Sequence, residues 1–394
     1  MSDEFRFAAA ASNAERLDAA IDECVDQLRA TLDSPPDLVV VFFSHAYGAD
    51  LDTLPEQLST KLQPRTLLGC TAESIVAGGR EIEGTAALSI WAARLPGVSI
   101  TPMHLDFART AEGPMITGWP DSLVGAWPTG STLLVLGEPF TFPGDWLLER
   151  MNDDRPGVPV VGGMASGATG PNQNRVVVDT QTYRQGAAAV LLSGPLAVRT
   201  VVSQGCRPIG ESFVVTQAEQ QWIKQLGGRP PLTYLQELFP TLSERDRQLV
   251  NRGLHVGCVI DEYRDQFGRG DFLIRNCLGV DRESGAIAAA DYFRRGQTVQ
   301  FHIRDAVSAD EDLRELLAAT GRNFTPEGGL LFTCNGRGTR LFDVPDHDAT
   351  AVQNAWPQLP LAGFFAQGEL GPIGGKNFIH GYTASLVLFA RAAT

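Results

Sequence analysis

The chain repeats itself three times, and that repetition restricts its fold more than any other feature does. Each copy gives a short apolar strand, a helical stretch, a second strand that runs into glycine, and then a loop and a long apolar strand. The first copy runs through Leu38–Phe43, Leu67–Ser74 and Gly84–Ile90. The second runs through Thr132–Leu136, Val160–Gly167 and Gly186–Leu192, and the third through Leu330–Cys334, Leu361–Glu369 and Gly381–Val387. From first strand to glycine the spacing is 31, 30 and 33 residues (38 to 69, 132 to 162, 330 to 363). Runs such as Leu38-Val39-Val40-Val41-Phe42-Phe43 are apolar at every position and β-branched, so they read as strands buried on both faces. The expected fold is an α/β protein of mixed β-sheets covered by helices. It is built from pseudo-repeated units in two lobes, and stacked α-β-β-α layers are one arrangement that fits.

The segments between the copies add detail. Ser12-Asn13-Ala14-Glu15 has the spacing of a capping box, and Leu17, Ile21, Cys24, Val25, Leu28 and Leu32 follow as one helical stripe. Residues 217–255, with Trp222, Ile223, Leu226, Leu235 and Leu238, are predicted helical, and 271–304 are predicted strands. In Thr298–Arg304, alternation puts Val299, Phe301 and Ile303 on one face and His302 and Arg304 on the other. Gly227-Gly228-Arg229-Pro230-Pro231 is the densest Gly/Pro cluster between patterned halves. The boundaries expected are therefore 1–36 for an N-terminal strand and helix segment, 37–226 for a first domain and 227–394 for a second.

Charge narrows the function. With 32 basic and 46 acidic residues the 394-residue chain carries a net charge of −14, a field that repels phosphate backbones, so no nucleic-acid partner is expected. The acidic start Met1-Ser2-Asp3-Glu4 lacks the basic opening of a secretory signal, and no run of eighteen apolar residues occurs, so no membrane insertion is expected. The six cysteines are scattered with no C-x-x-C pair, which reads as reduced thiols in the cytoplasm. The six histidines make no H-x-x-x-H pair, and no metal or other cofactor is expected.

Gly205-Cys206-Arg207-Pro208-Ile209-Gly210, Phe301–Ala306, Phe332–Gly338 and Gly363–Pro372 together resemble the FIST family, with looser matches at Val39–Ser44 and Gly69-Cys70-Thr71. The resemblance covers about residues 37 to 390. It implies a FIST-N-like domain over 37–226, a FIST-C-like domain over 227–394, and a sensory role in signal transduction with a small, amino-acid-like ligand. Family members often carry an output module. The length left outside the repeats here has no room for one, which implies a stand-alone sensor with a separate signalling protein as partner.

Candidate ligand-binding residues come from the strand ends. Cys334-Asn335-Gly336-Arg337 follows a buried strand, and a guanidinium among exposed amides suits a carboxylate. Glu369, next to Gly368 and preceded by Phe364 and Phe365, suits an ammonium group. Arg337 and Glu369 are thus expected on one pocket that takes a zwitterion, with Arg337→Met weakening the ligand and barely moving stability. His302, Arg304, His380 and Cys70 complete the candidate set. Gly163–Gly167 places its serine one residue late for a nucleophile elbow, and Gly371–Asn377 lacks P-loop spacing, so no catalytic residue is assigned. Two alternatives remain open: a cysteine-dependent hydrolase or transferase using Cys334, and a ligand-independent interaction scaffold.

Overall fold

The structure, a computed structural model, describes residues 4–392 apart from 112 and 265. Strand content (42%) exceeds helix content (24%), and the sheets set the architecture. The chain forms two compact units. The first comprises 1–202, 315–379 and 383–394, and the second comprises 203–314 with 380–382.

The first unit contains all three repeats. The first gives strand β1 (Arg6–Ser12), helix α1 (Leu17–Thr31), β2 (Leu38–Ser44), α2 (Leu54–Leu62), β3 (Thr66–Ala72), the hairpin β4 (Ile75–Ala77) and β5 (Arg80–Ile82), and β6 (Leu88–Arg94). The second gives β7 (Ser99–Thr110), β8 (Gly113–Thr117), β9 (Thr132–Gly137), α3 (Gly144–Asp154), β10 (Val160–Met164), the hairpin β11 (Val176–Val178) and β12 (Gln181–Tyr183), and β13 (Ala187–Ser193). It is followed by β14 (Leu196–Gln204). In the second unit come β15 (Cys206–Glu219), β16 (Trp222–Leu226), α4 (Pro231–Leu238), α5 (Glu244–Arg252), β17 (Leu254–Val259), β18 (Phe272–Val280), β19 (Ile287–Ala289) and β20 (Thr298–Arg304). After α6 (Ala306–Gly321) the third repeat gives β21 (Gly328–Cys334), α7 (His347–Ala355), β22 (Leu361–Ala366), the hairpin β23 (Glu369–Ile373) and β24 (Lys376–His380), and β25 (Thr383–Arg391).

The three sheets share one strand order. They read β1-β6-β2-β3-β11-β12, β8-β7-β13-β9-β10-β23-β24, and β14-β25-β21-β22-β4-β5. In each, the two repeat strands run parallel with the glycine opposite the fourth residue of its neighbour: Gly69 faces Val41, Gly162 faces Val135 and Gly363 faces Leu331. Each sheet ends in a hairpin that belongs to a different repeat. The first repeat's hairpin extends the third sheet, the second's extends the first, and the third's extends the second. The exchange closes a ring. Two residues after each glycine, the backbone N–H groups of Thr71, Met164 and Phe365 donate to the carbonyls of Arg175, Gly368 and Ser74 at 2.9, 2.8 and 2.9 Å, the same bond made three times around the centre.

Inner faces of all three sheets meet in one core, where Phe42 stacks on Phe364 at 5.0 Å and meets Phe332 edge-on at 6.1 Å. Outer faces are covered by helices, as where Ile21, Cys24 and Leu28 of α1 pack onto Val39, Val41 and Phe43 of β2. Gly69, Gly162 and Gly363 sit in mid-strand, where a Cβ on Gly363 would lie 1.9 Å from the Leu331 carbonyl oxygen. They allow close backbone approach and expose no amides to a ligand.

The second unit is a closed barrel in the order β15-β16-β19-β18-β17-β20, with β15 and β20 paired antiparallel. Val299, Phe301 and Ile303 point into its core, as alternation predicts. Tyr234, Leu235 and Leu238 of α4 and Leu249 of α5 pack against the same core. Residues 222–226 are a strand, not the predicted helix, because Trp222 and Ile223 pair with Ala288 and Ile287 across the barrel. Gly227–Pro231 joins β16 to α4 inside this unit. The capping box is also overturned: Ser12 ends β1, paired with Leu88, and α1 begins at Leu17 with no side-chain cap.

Candidate functional site

The loop after β21 is built by charge. Arg337 is fully buried, and its Nε and Nη2 donate to Asp348 Oδ2 and Oδ1 at 2.6 and 2.7 Å. The guanidinium lies 5.2 Å from the Phe342 ring, and Phe342 in turn stacks on His347 at 3.4 Å. Asp348 also accepts from Thr333 Oγ1 at 2.7 Å. Burial disfavours its charge, but the Arg337 guanidinium beside it holds the carboxyl well below the usual range.

The first repeat's hairpin completes this loop. Glu81 Oε1 accepts the backbone N–H groups of Asp348 and Ala349 at 2.9 and 3.0 Å. Burial, followed by the Asp348 charge, pushes the Glu81 carboxyl up to about 8. Glu83 accepts from Thr339 N and Oγ1 at 3.0 and 2.8 Å, and Glu73 pairs with Arg340. The sequence predicts Arg337 to be open to a ligand. Instead Asp348 fills its two-pronged face, a partner eleven residues away on α7 that no local motif announces.

Three buried polar atoms in this cluster have no hydrogen-bond partner within the protein: Arg337 Nη1, Glu81 Oε2 and Asn335 Oδ1. Native interiors pair nearly all such atoms, so three in one loop cluster stand out. Cys334, Asn335 and Gly336 are half-buried at the rim. Arg340 Nη1 donates to the Asn335 carbonyl at 2.8 Å and steadies that rim.

The other candidates fall elsewhere. Glu369 is buried in β23 opposite Gly163, and its Oε2 accepts from Thr383 N and Oγ1 at 3.1 and 2.7 Å. It and Arg337 therefore have separate partners. Phe364 and Phe365 point to opposite faces of β22: Phe364 joins the central core, while Phe365 lies under Gly338 of the Arg337 loop. The Gly368 carbonyl is one of the three acceptors in the central ring described above. Cys70 is wholly buried in β3, which pushes its thiol well above the ordinary value and makes it a small core residue.

His302, Arg304 and His380 belong to the second unit, together with His255 and Tyr382, which sequence reasoning missed. His302 faces away from the barrel core yet is 1% exposed, against Phe272 at 4.7 Å, with its Nδ1 3.0 Å from the Gln300 carbonyl. His255 pairs with His302 across β17 and β20 and meets Tyr382 edge-on at 4.4 Å. Arg304 lies over the same Tyr382 ring at 5.2 Å. The missed signal is register, since nothing in the sequence places His255 opposite His302.

Burial, reinforced at His255 by Arg304, lowers both imidazoles to about 4, so both are neutral at pH 7. In the unfolded chain they take up protons near 6.5, so that state binds more protons between the two values. Stability contributed by these two histidines is therefore expected to fall as pH drops from 6.5 to 4 and to be flat above 6.5. Thermal unfolding measured across that window checks it, and His255→Gln should make the decline shallower. An equally steep decline in that variant would remove His255 as a cause.

Comparison with known proteins came out consistently. The FIST N domain model matches residues 37–229 and the FIST C domain model residues 231–372. An uncharacterized protein of Mycobacterium tuberculosis strain H37Rv is 44% identical over 357 residues, covering 90% of this chain and 91% of that protein. An uncharacterized protein of Mycobacterium bovis is 44% identical over 359 residues, 90% of each chain. No helix among the described residues is long and apolar enough to cross a membrane.

Proposed function

The chain belongs to the FIST family, and from that premise we propose that it is a cytoplasmic sensor whose small ligand is held by the Asn335–Arg337 loop and read out by a separate signalling protein. FIST domains are in general small-ligand-binding sensory domains. The observation that carries the placement is the cluster of unpartnered buried atoms: Arg337 Nη1 as a cationic donor, Asn335 Oδ1 as an acceptor, and Glu81 Oε2 on a carboxyl that burial pushes well above the usual range. An amino-acid-like ligand suits this set. Its carboxylate pairs with the guanidinium edge that Asp348 leaves over, and its ammonium group donates to Asn335.

A thermal-shift panel of amino acids and small carboxylates tests the reading. A true ligand at about a hundred times its Kd stabilises by about 2.7 kcal/mol, which is a readable shift. Asn335→Ala removes one ligand contact and leaves the Arg337–Asp348 pair in place, so it should weaken that ligand about tenfold with little change in the melting temperature of the free protein. A panel without any shift, or a shift that Asn335→Ala leaves intact, would reject the placement. Cys334→Ser separates binding from thiol chemistry, because a sensor keeps its affinity with serine there.

A further inference from the structure

The ring of repeats needs six strands per sheet, and the first and third sheets have six. The middle sheet has a seventh. There β7 is twelve residues long and carries β8 on its outer edge, with Asp106 opposite Thr117. The chain then runs over 118–131, with a single helical turn at Asp121–Leu123, before β9 begins, where the first and third repeats instead place a helix, α1 and α6, ahead of the corresponding strand. This segment lies along α3 and encloses a groove of about 460 Å³. That size is in the range of small-molecule sites, roughly 300–1,000 Å³.

The lining is unusual for this chain. Three of its six tryptophans are here: Trp119 and Trp127, 5.9 Å apart, and Trp146 on α3. Met115 and Val124 remain 41% and 83% exposed beside them. The Trp127 indole N–H donates to the Leu123 carbonyl at 3.1 Å, which fixes the ring. Arg155 lies 5.3 Å over that ring, and its Nη1 donates to the Asp154 carbonyl at 3.0 Å. The Asp154 carboxylate pairs with Arg150 at 2.7 Å, and among the described residues Arg155 makes no salt bridge. In a chain of net charge −14, this is a guanidinium that makes no salt bridge among the described residues, on the wall of an aromatic groove.

We propose that this groove is a second ligand site, separate from the strand-end loop, and that it takes a small, flat, apolar molecule bearing one anionic group. The ring of the ligand lies against Trp119 and Trp127, and its anion pairs with Arg155. Aromatic stacking supplies the contact area and the guanidinium supplies orientation.

Anilinonaphthalene sulfonate has this chemistry, and the tryptophans report on it directly. Titrated into the full chain, it should saturate at one site with emission sensitised by tryptophan excitation. Arg155→Gln should weaken it about tenfold, the usual loss for a charge-assisted contact. The uncharged analogue N-phenylnaphthylamine should bind wild type and Arg155→Gln alike. Trp127→Leu should lower affinity for both dyes and reduce the sensitised emission, with the melting temperature recorded to confirm that the variant is folded. Equal dye affinity in wild type and Arg155→Gln would overturn the proposal, as would displacement of the dye by a proline-rich peptide but not by naphthoate. The dye alone is the readout, so the result is independent of whether the strand-end loop binds an amino acid.

Discussion

Arg337→Met is expected to destabilise the protein by about 3–5 kcal/mol, because it leaves the Asp348 carboxylate buried without its cation. Both side chains are fully enclosed and joined by two hydrogen bonds. Sequence reasoning predicts that this substitution would affect a ligand and spare the fold, and the geometry reverses that order. Asp348→Asn should cost a similar amount by stranding the guanidinium. Replacing both charges, as in Arg337→Met with Asp348→Leu, should cost less than either single change, since no unpaired charge then remains in the interior. Calorimetric unfolding of the two singles and the double closes the cycle. Additive losses, or a loss under about 1 kcal/mol for Arg337→Met, would show that the pair is weakly coupled. The consequence for function is practical. Loss of ligand binding in an Arg337 variant cannot be separated from loss of the loop, so Asn335 is the residue on which binding is tested.

The repeats were legible because their strands are buried on both faces, and continuous apolar runs such as Leu38–Phe43 leave a plain signal. The exchange of hairpins was not legible. The hairpin strands exchanged with β3 and β22, Val176–Val178 and Ile75–Ala77, are three residues long, and the strands they join lie about a hundred residues or more away. Nothing local names such a partner. The barrel was half read for a related reason. Trp222, Ile223 and Leu226 fit a helical stripe as well as a strand, and only pairing with β19 decides between them. An N-terminal strand was expected within 1–36, but not its bounds, because its alanines favour helix locally; they let Arg6–Ser12 lie flat against the small residues Ala92 and Ala93 of β6. At the candidate site, the loop after β21 was found because Asn335-Gly336-Arg337-Gly338 is a conspicuous break after an apolar run. Its partners Asp348 and Glu81 come from a helix and from another repeat's hairpin, so their contribution appears only in three dimensions.

The ring itself makes the second large prediction. Gly363→Ala should destabilise the first unit by about 3 kcal/mol or more, at the upper end of what overpacking costs, because the added Cβ meets backbone and no side chain can move aside. The clash is with the Leu331 carbonyl oxygen at 1.9 Å and its carbon at 2.7 Å, in a strand pair whose register is fixed on both sides. Gly162→Ala meets the Val135 oxygen at the same 1.9 Å and adds the strain of a φ of +133°, so it should be at least as costly. Gly69→Ala should cost least of the three, since its nearest contact is the Val41 side chain at 2.5 Å and the backbone oxygen is 2.7 Å away. Gly79→Ala is the control, with only ordinary contact to Gln353 at 3.5 Å and an expected change within about 0.5 kcal/mol. At about 2–4 °C of melting temperature per kcal/mol for a unit of this size, the first two variants should melt roughly 10 °C lower and the control should not move. The ranking matters more than any single value. Glycines retained as a ligand cradle would lose binding on substitution with little loss of stability, whereas glycines retained for strand approach lose stability in the order of their backbone clash. An equal and small effect at all three positions would show that the parallel pairs can separate without cost, and the close approach at the centre of the ring would then no longer account for the repeat.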